Sequence, residues 1–390
     1  MKFTRVMSMS AIGFLTLLAM PVRPAAQESP STHPPSARYT VVDLGPLEGG
    51  SFSQPFFMSK SGVVSGSSGL SNNTQHAVLW FTDYIADIGT LGGPNSIAFD
   101  VNEMNHAIGE AETSASDPNG EDFCGFGTHL TCAPFRWESD VMTPLPTLGG
   151  NNGVANQISD LGLVVGFAEN TTTDPACPAP QIFQFKPALW TDGKVKELPT
   201  LAGDPDGVAL SSNEIGQVVG ASGICTTFNF STLFNLQPVH PLLWQKGKAI
   251  DLGSLGGTTG QAGGNIAWGI NNHGQVVGVS DLVGDTAFHA FLWTTAHGMQ
   301  DLGTLTGDFA SAGSSINDRG EGVGVSLDAS FNGRAFLWQS GVMKDLNTLV
   351  PPGSLSLISG CSINSRGEIA GLALTSTGEF HAYRAIPVQQ

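Results

Sequence analysis

The stretch INNHGQVVG, residues 270–278, decides how this chain is read, because it recurs six more times without a gap. The other copies are MSKSGVVSG at 58–66, VNEMNHAIG at 101–109, ISDLGLVVG at 158–166, SNEIGQVVG at 212–220, INDRGEGVG at 316–324 and INSRGEIAG at 363–371. The ninth position is Gly throughout. The fifth is Gly in every copy but one, where Asn105 stands, and Asn is the non-glycine residue that best tolerates left-handed backbone. A hairpin turn with positive φ at the fifth position follows. Asn or Ser at the second position can bond the turn backbone. Each copy therefore reads as strand, tight turn, strand.

Two more strands complete each unit. One ends near a Trp in six units, at Trp80, Trp137, Trp190, Trp244, Trp293 and Trp338, with Ala385 in the seventh. The other leads into a DLGTLGG-like segment, such as those beginning at Asp87, Asp251 and Asp301. Labelled A to D in chain order, four short strands per unit of this length are the signature of propeller blades. The register also supplies a closure. The chain begins its repeats with a lone D strand, residues 39–45, and ends them with a lone C strand, residues 380–384. Together they complete one blade, which removes the exposed edges an open array would present. The expected fold is all-β, a seven-bladed β-propeller of four-stranded blades over residues 39–390.

The units resemble the HAF family of secreted bacterial repeat proteins, on His289, Ala290 and Phe291, with weaker copies at His76, Ala77, Val78 and His381, Ala382, Tyr383. The resemblance covers Tyr39 to about Ala385. It implies export and a repeat architecture, and it carries over no catalytic residue.

Export is also read from the N-terminus. Lys2 and Arg5 precede an apolar run at 11–20 and the small residues Ala25 and Ala26, the pattern of a signal peptide over 1–26, followed by a flexible leader at 27–38. The expected location is extracellular or periplasmic. No segment is long and apolar enough for a membrane helix, so no membrane insertion is expected. With a formal net charge of −17 and charged residues at 13%, the chain lacks the basic stripe that nucleic acid requires. A monomer is expected.

The chemistry-bearing residues mostly repeat once per unit, which favours a structural role. A basic group heads strand C in six units, and an acid eleven or twelve residues later heads strand D. This pairs His76 with Asp87, Lys186 with Glu197, His240 with Asp251, His289 with Asp301, Arg334 with Asp345 and His381 with Asp43. Cross-hairpin ion pairing explains the pattern better than a metal or catalytic role. The Trp series reads as packing. Trp268 departs from it, standing two residues ahead of its motif in strand A, where it could face a channel.

No GxSxG, HExxH, phosphate loop or GxGxxG is present. The fragments starting at Asp117 and Asp204 read as turns rather than calcium loops. No cofactor is expected, with calcium left open at the acids of the long loops. Cys124 with Cys132, and Cys177 with Cys225, are expected disulfides, and Cys361 a buried free thiol.

Loop length is concentrated in three consecutive units, at 111–131, 167–185 and 221–239, all between strands B and C and so on one face. Long loops on a rigid scaffold are where binding concentrates. The candidate ligand-binding residues are Glu121, Asp122, Phe126, Phe183, Phe228, Phe230 and Trp268. The expected function is a secreted binding, adhesion or scaffold module for a glycan or extracellular protein. The alternative is a carbohydrate-active hydrolase or lyase with carboxylates at the channel mouth.

Overall fold

The computed structural model describes residues 38–226, 236–353 and 355–388. The proposed signal peptide lies outside the described residues, as do Phe228 and Phe230. Seven four-stranded antiparallel sheets form a β-propeller. Their innermost strands are Ser53–Met58, Gly92–Val101, Gly153–Ile158, Asp206–Ser212, Ile266–Ile270, Ala310–Ile316 and Leu355–Ile363.

The seventh blade closes the ring as the register requires. Strand Tyr39–Asp43 forms its outer edge, pairing Tyr39 with Pro387 and Asp43 with Tyr383 along strand Phe380–Pro387. Arg38 and Val388 are joined by a hydrogen bond from the Val388 N–H to the Arg38 carbonyl at 2.8 Å.

The nine-residue motif is an inner hairpin whose invariant positions have different causes. At the fifth, φ is positive in all seven copies, from +59° at Asn105 to +92° at Gly62, as a tight turn demands. The ninth needs glycine for space. A Cβ on Gly278 would lie 1.9 Å from the Ile266 carbonyl oxygen, and one on Gly220 would lie 2.0 Å from that of Val208.

The second position does more than hold its own turn. Asn271 Oδ1 accepts from the His273 and Gln275 N–H groups at 3.0 Å, while its Nδ2 donates to the Asn317 carbonyl of the next blade at 2.9 Å. Asn317 reaches Asn364 in the same way, and Asn364 reaches Ser59 across the closure. Ser59 and Ser159 keep the turn bond but lack the amide arm. The turn residue therefore also ties neighbouring blades.

The Trp series packs between blades. Trp80, Trp190 and Trp244 are each 2% exposed, and their indole N–H groups donate to the Gly45, Pro146 and Pro199 carbonyls of the preceding segments. Four of the expected ion pairs form: His76 with Asp87, His289 with Asp301, Arg334 with Asp345 and His381 with Asp43. Two do not. His240 turns to Asp204 at 2.8 Å, and Lys186 donates to the Pro205 carbonyl. Asp204 precedes the inner strand of the same blade as His240, and it is buried, so it offers a better-desolvated partner than exposed Asp251.

Candidate functional site

Two features stand out from the repeat: a wall of inserted loops on one face, and a cavity on the axis. The wall is built from the B-to-C connections of blades two to four. Antiparallel alternation puts the described parts of these on one face, residues 227–235 of the fourth blade's loop lying outside the described residues, and the loops of the second and third blades touch. The Ile182 N–H of the third blade's loop donates to Glu121 Oε1 of the second's at 3.2 Å. Both expected disulfides are present. Cys124–Cys132 closes a loop within the second blade, and Cys177–Cys225 joins the third to the fourth. The pairs fit an oxidising compartment. Cys361 is free and buried, and burial pushes its thiol up to about 11.

The acids that give the loops their charge in the sequence mostly turn inward. Glu112, Asp117, Glu121, Glu169 and Asp174 are all buried. Asn152 Nδ2 gathers three of them, donating to Asp117 Oδ2 at 2.9 Å, Glu121 Oε2 at 3.0 Å and Glu169 Oε2 at 3.1 Å. Burial, reinforced by the adjoining Glu121 carboxyl, pushes Glu169 up to about 9. A second carboxyl pair, Asp174 with Asp206, lies at the seam of blades three and four. Burial first, and the Asp174 carboxyl next, push Asp206 up to about 7. Asp122 stays half-buried and accepts from the Gly127 N–H at 2.9 Å. The fragment at Asp117 is a turn, its Oδ1 accepting from the Asn119 and Glu121 N–H groups.

Phe126 and Phe183 are half-buried. Sequence reading missed Phe123, whose ring lies 5.9 Å from Phe167 and 6.5 Å from Phe185 and seats the second blade's loop on the third blade. Among the described residues, the wall presents outward the hydroxyls of Ser114, Ser116, Thr171, Thr172 and Thr173, with exposed Ile182 and Ile224.

Two clusters of potential metal ligands occur among the described residues: Glu110, Cys124 and Cys132, and Cys177, Asp206 and Cys225. In both, the sulfurs are joined in a disulfide and so are not thiolate ligands.

The axial cavity has a different origin. Every innermost strand carries a register break just before its motif, as between Ala98 and Asp100, Ala155 and Gln157, or Ala267 and Gly269. A bulge inserts one unpaired residue and re-aims its side chain. In this ring the residues two places ahead of the motif line the axis: Phe56, Phe99, Asn156, Leu210, Trp268, Ser314 and Cys361. They enclose a cavity of roughly 150 Å³. Trp268, half-buried, thus faces the channel. Phe56 and Phe99 meet edge to face at 4.9 Å. The lining residues sit at the C-terminal ends of their strands, so the cavity lies toward the face of short A-to-B turns, away from the wall.

A collar surrounds that mouth, formed by the third motif position. The Ser61 N–H donates to Glu103 Oε1, that of Glu103 to Asp160 Oδ1, that of Asp160 to Glu214 Oε1, that of Glu214 to Asn272 Oδ1 and that of Asn272 to Asp318 Oδ1. Each acid is held by the preceding blade's backbone. Lys60 of the first blade reaches past the second to pair with Asp160.

No family model and no curated protein matches the chain. Among solved structures, it is similar to the BP39L lectin from Burkholderia pseudomallei at 12% identity and TM-score 0.41, over 90% of this chain and 98% of that one. It is also similar to the WD40 β-propeller domain of Doa1 at 14% identity and TM-score 0.36, over 88% and 96%. A mutant of AofleA from Arthrobotrys oligospora gives 9% identity and TM-score 0.38, over 79% and 88%. Likenesses this distant carry no functional argument, and the seven-bladed architecture rests on the chain's own sheet order.

Proposed function

We propose that the chain is an exported binding module that holds an extracellular glycan or protein against the loop wall of blades two to four. The observation that carries this reading is the locking of the wall. Its inserted loops are fixed by two disulfides, by the Asn152 carboxyl cluster and by Phe123, so a surface away from the repeat is held rigid. Rigidity lowers the ordering cost of binding. An outward surface of hydroxyls with Ile182 and Ile224 suits sugar hydroxyls and small apolar patches.

The test is a glycan and secreted-protein binding screen of the chain, with and without calcium, repeated on a variant whose segments 117–129 and 174–182 are replaced by short turns. Binding lost in the variant supports the proposal. Partner binding retained at wild-type strength removes the wall from consideration.

A further inference from the structure

We propose that the axial cavity is a separate binding site for a small organic ammonium, whose apolar ring enters the channel while its charged head rests in the acidic collar. The site lies on the opposite face from the loop wall and does not depend on that reading.

Three observations converge on it. The first is chemical variety where the repeat is otherwise strict. The bulged position holds Phe, Phe, Asn, Leu, Trp, Ser and Cys around one ring, while the ninth position beside it is Gly in every blade. A position that only filled the axis would be expected to repeat as the Trp series does. The second is size and lining. About 150 Å³ is the volume of an apolar cavity that takes up benzene. Here Phe56, Phe57, Phe99 and Trp268 supply aromatic surface, against which a ligand's ring can pack edge to face or offset.

The third is charge. Glu103, Asp160, Glu214 and Asp318 stand two to four residues beyond the lining, and each is pinned by a backbone N–H, so the carboxylates cannot retreat from the mouth. They repel an anion and favour a cation. The chain already places one ammonium there: the Lys60 side chain pairs with Asp160, and its pKa is raised by that bond, with Glu214 and Glu103 adding to the effect. A ligand ammonium would displace Lys60 Nζ and, unlike it, bring a tail that fills the cavity.

The experiment compares three probes of one shape on the full chain by calorimetry and tryptophan fluorescence: 2-phenylethylamine, 2-phenylethanol and 3-phenylpropanoate. The amine is expected to bind at least about tenfold more tightly than the alcohol, and the acid not to bind. Trp268→Leu should abolish the fluorescence response and weaken the amine, and Lys60→Ala should strengthen it several-fold. Ser314→Phe fills the cavity from the neighbouring blade and provides a second blocking variant if Trp268→Leu does not fold. Equal affinity for amine and alcohol overturns the role of the collar. Amine binding unchanged in Ser314→Phe, or none up to about 10 mM, overturns the site.

Discussion

The two disulfides should differ in worth, and the difference follows from how much chain each one closes. Cys124–Cys132 spans a sequence separation of 8, whereas Cys177–Cys225 spans 48. If a cross-link acts by restricting the unfolded chain, the loop-entropy relation assigns about 2.5 kcal/mol to the first and about 4 kcal/mol to the second. For a chain of this size these correspond to losses of roughly 3 °C and 5 °C in melting temperature. The perturbation is a pair of double variants, Cys124→Ser with Cys132→Ser and Cys177→Ser with Cys225→Ser, each followed by guanidinium unfolding and calorimetry. A thiol titration of the unreduced, denatured wild type should find one free thiol, that of Cys361. The reasoning is refuted if the short-loop variant loses as much as the long-loop one, or if five thiols titrate.

Three further outcomes are expected. Between about pH 4.5 and 9 the folded state holds a proton on Glu169 that the unfolded chain has released, so this contribution is full below about pH 4.5 and is lost as pH rises toward 9. Asp206 has the same sign between about 3.8 and 7, and Glu169→Gln should flatten the upper part of a chemical-denaturation profile measured across pH. Gly278→Ala, whose Cβ would meet the Ile266 carbonyl, should cost on the order of 3 kcal/mol, whereas Gly274→Asn, mimicking Asn105, should cost less than about 1 kcal/mol, by urea titration. Removing residues 38–43 should leave strand Phe380–Pro387 as an open edge, and sizing chromatography should then show association that the intact chain lacks.

The ring, its seven units and its closure were legible because they rest on local rules repeated many times. Positive φ at one position, a forbidden Cβ at another and a spare strand at each end can all be seen in one dimension. The axial site was not. Strand alternation says which residues share a face, but a bulge adds one residue and reverses that assignment, so Phe56, Phe99 and Asn156 passed as ordinary variation, and Trp268 alone drew notice by its size. The collar was hidden for a related reason. Glu103, Asp160, Glu214 and Asp318 look like solvated turn residues until the ring brings each beside its neighbour's backbone. Charge also misled on the wall, where Glu121 and Asp174 serve seams between blades. Desolvation likewise redirected His240, whose nearest acid along the hairpin is Asp251 but whose buried partner is Asp204.

The shared seventh blade also governs how the disc can be mounted. Its first and last described strands lie side by side at the rim, and Arg38 and Val388 hydrogen-bond to each other there. A tether fused to either end would hold the disc by its edge, like a coin gripped at the milling, leaving the broad sides free to meet different molecules at once.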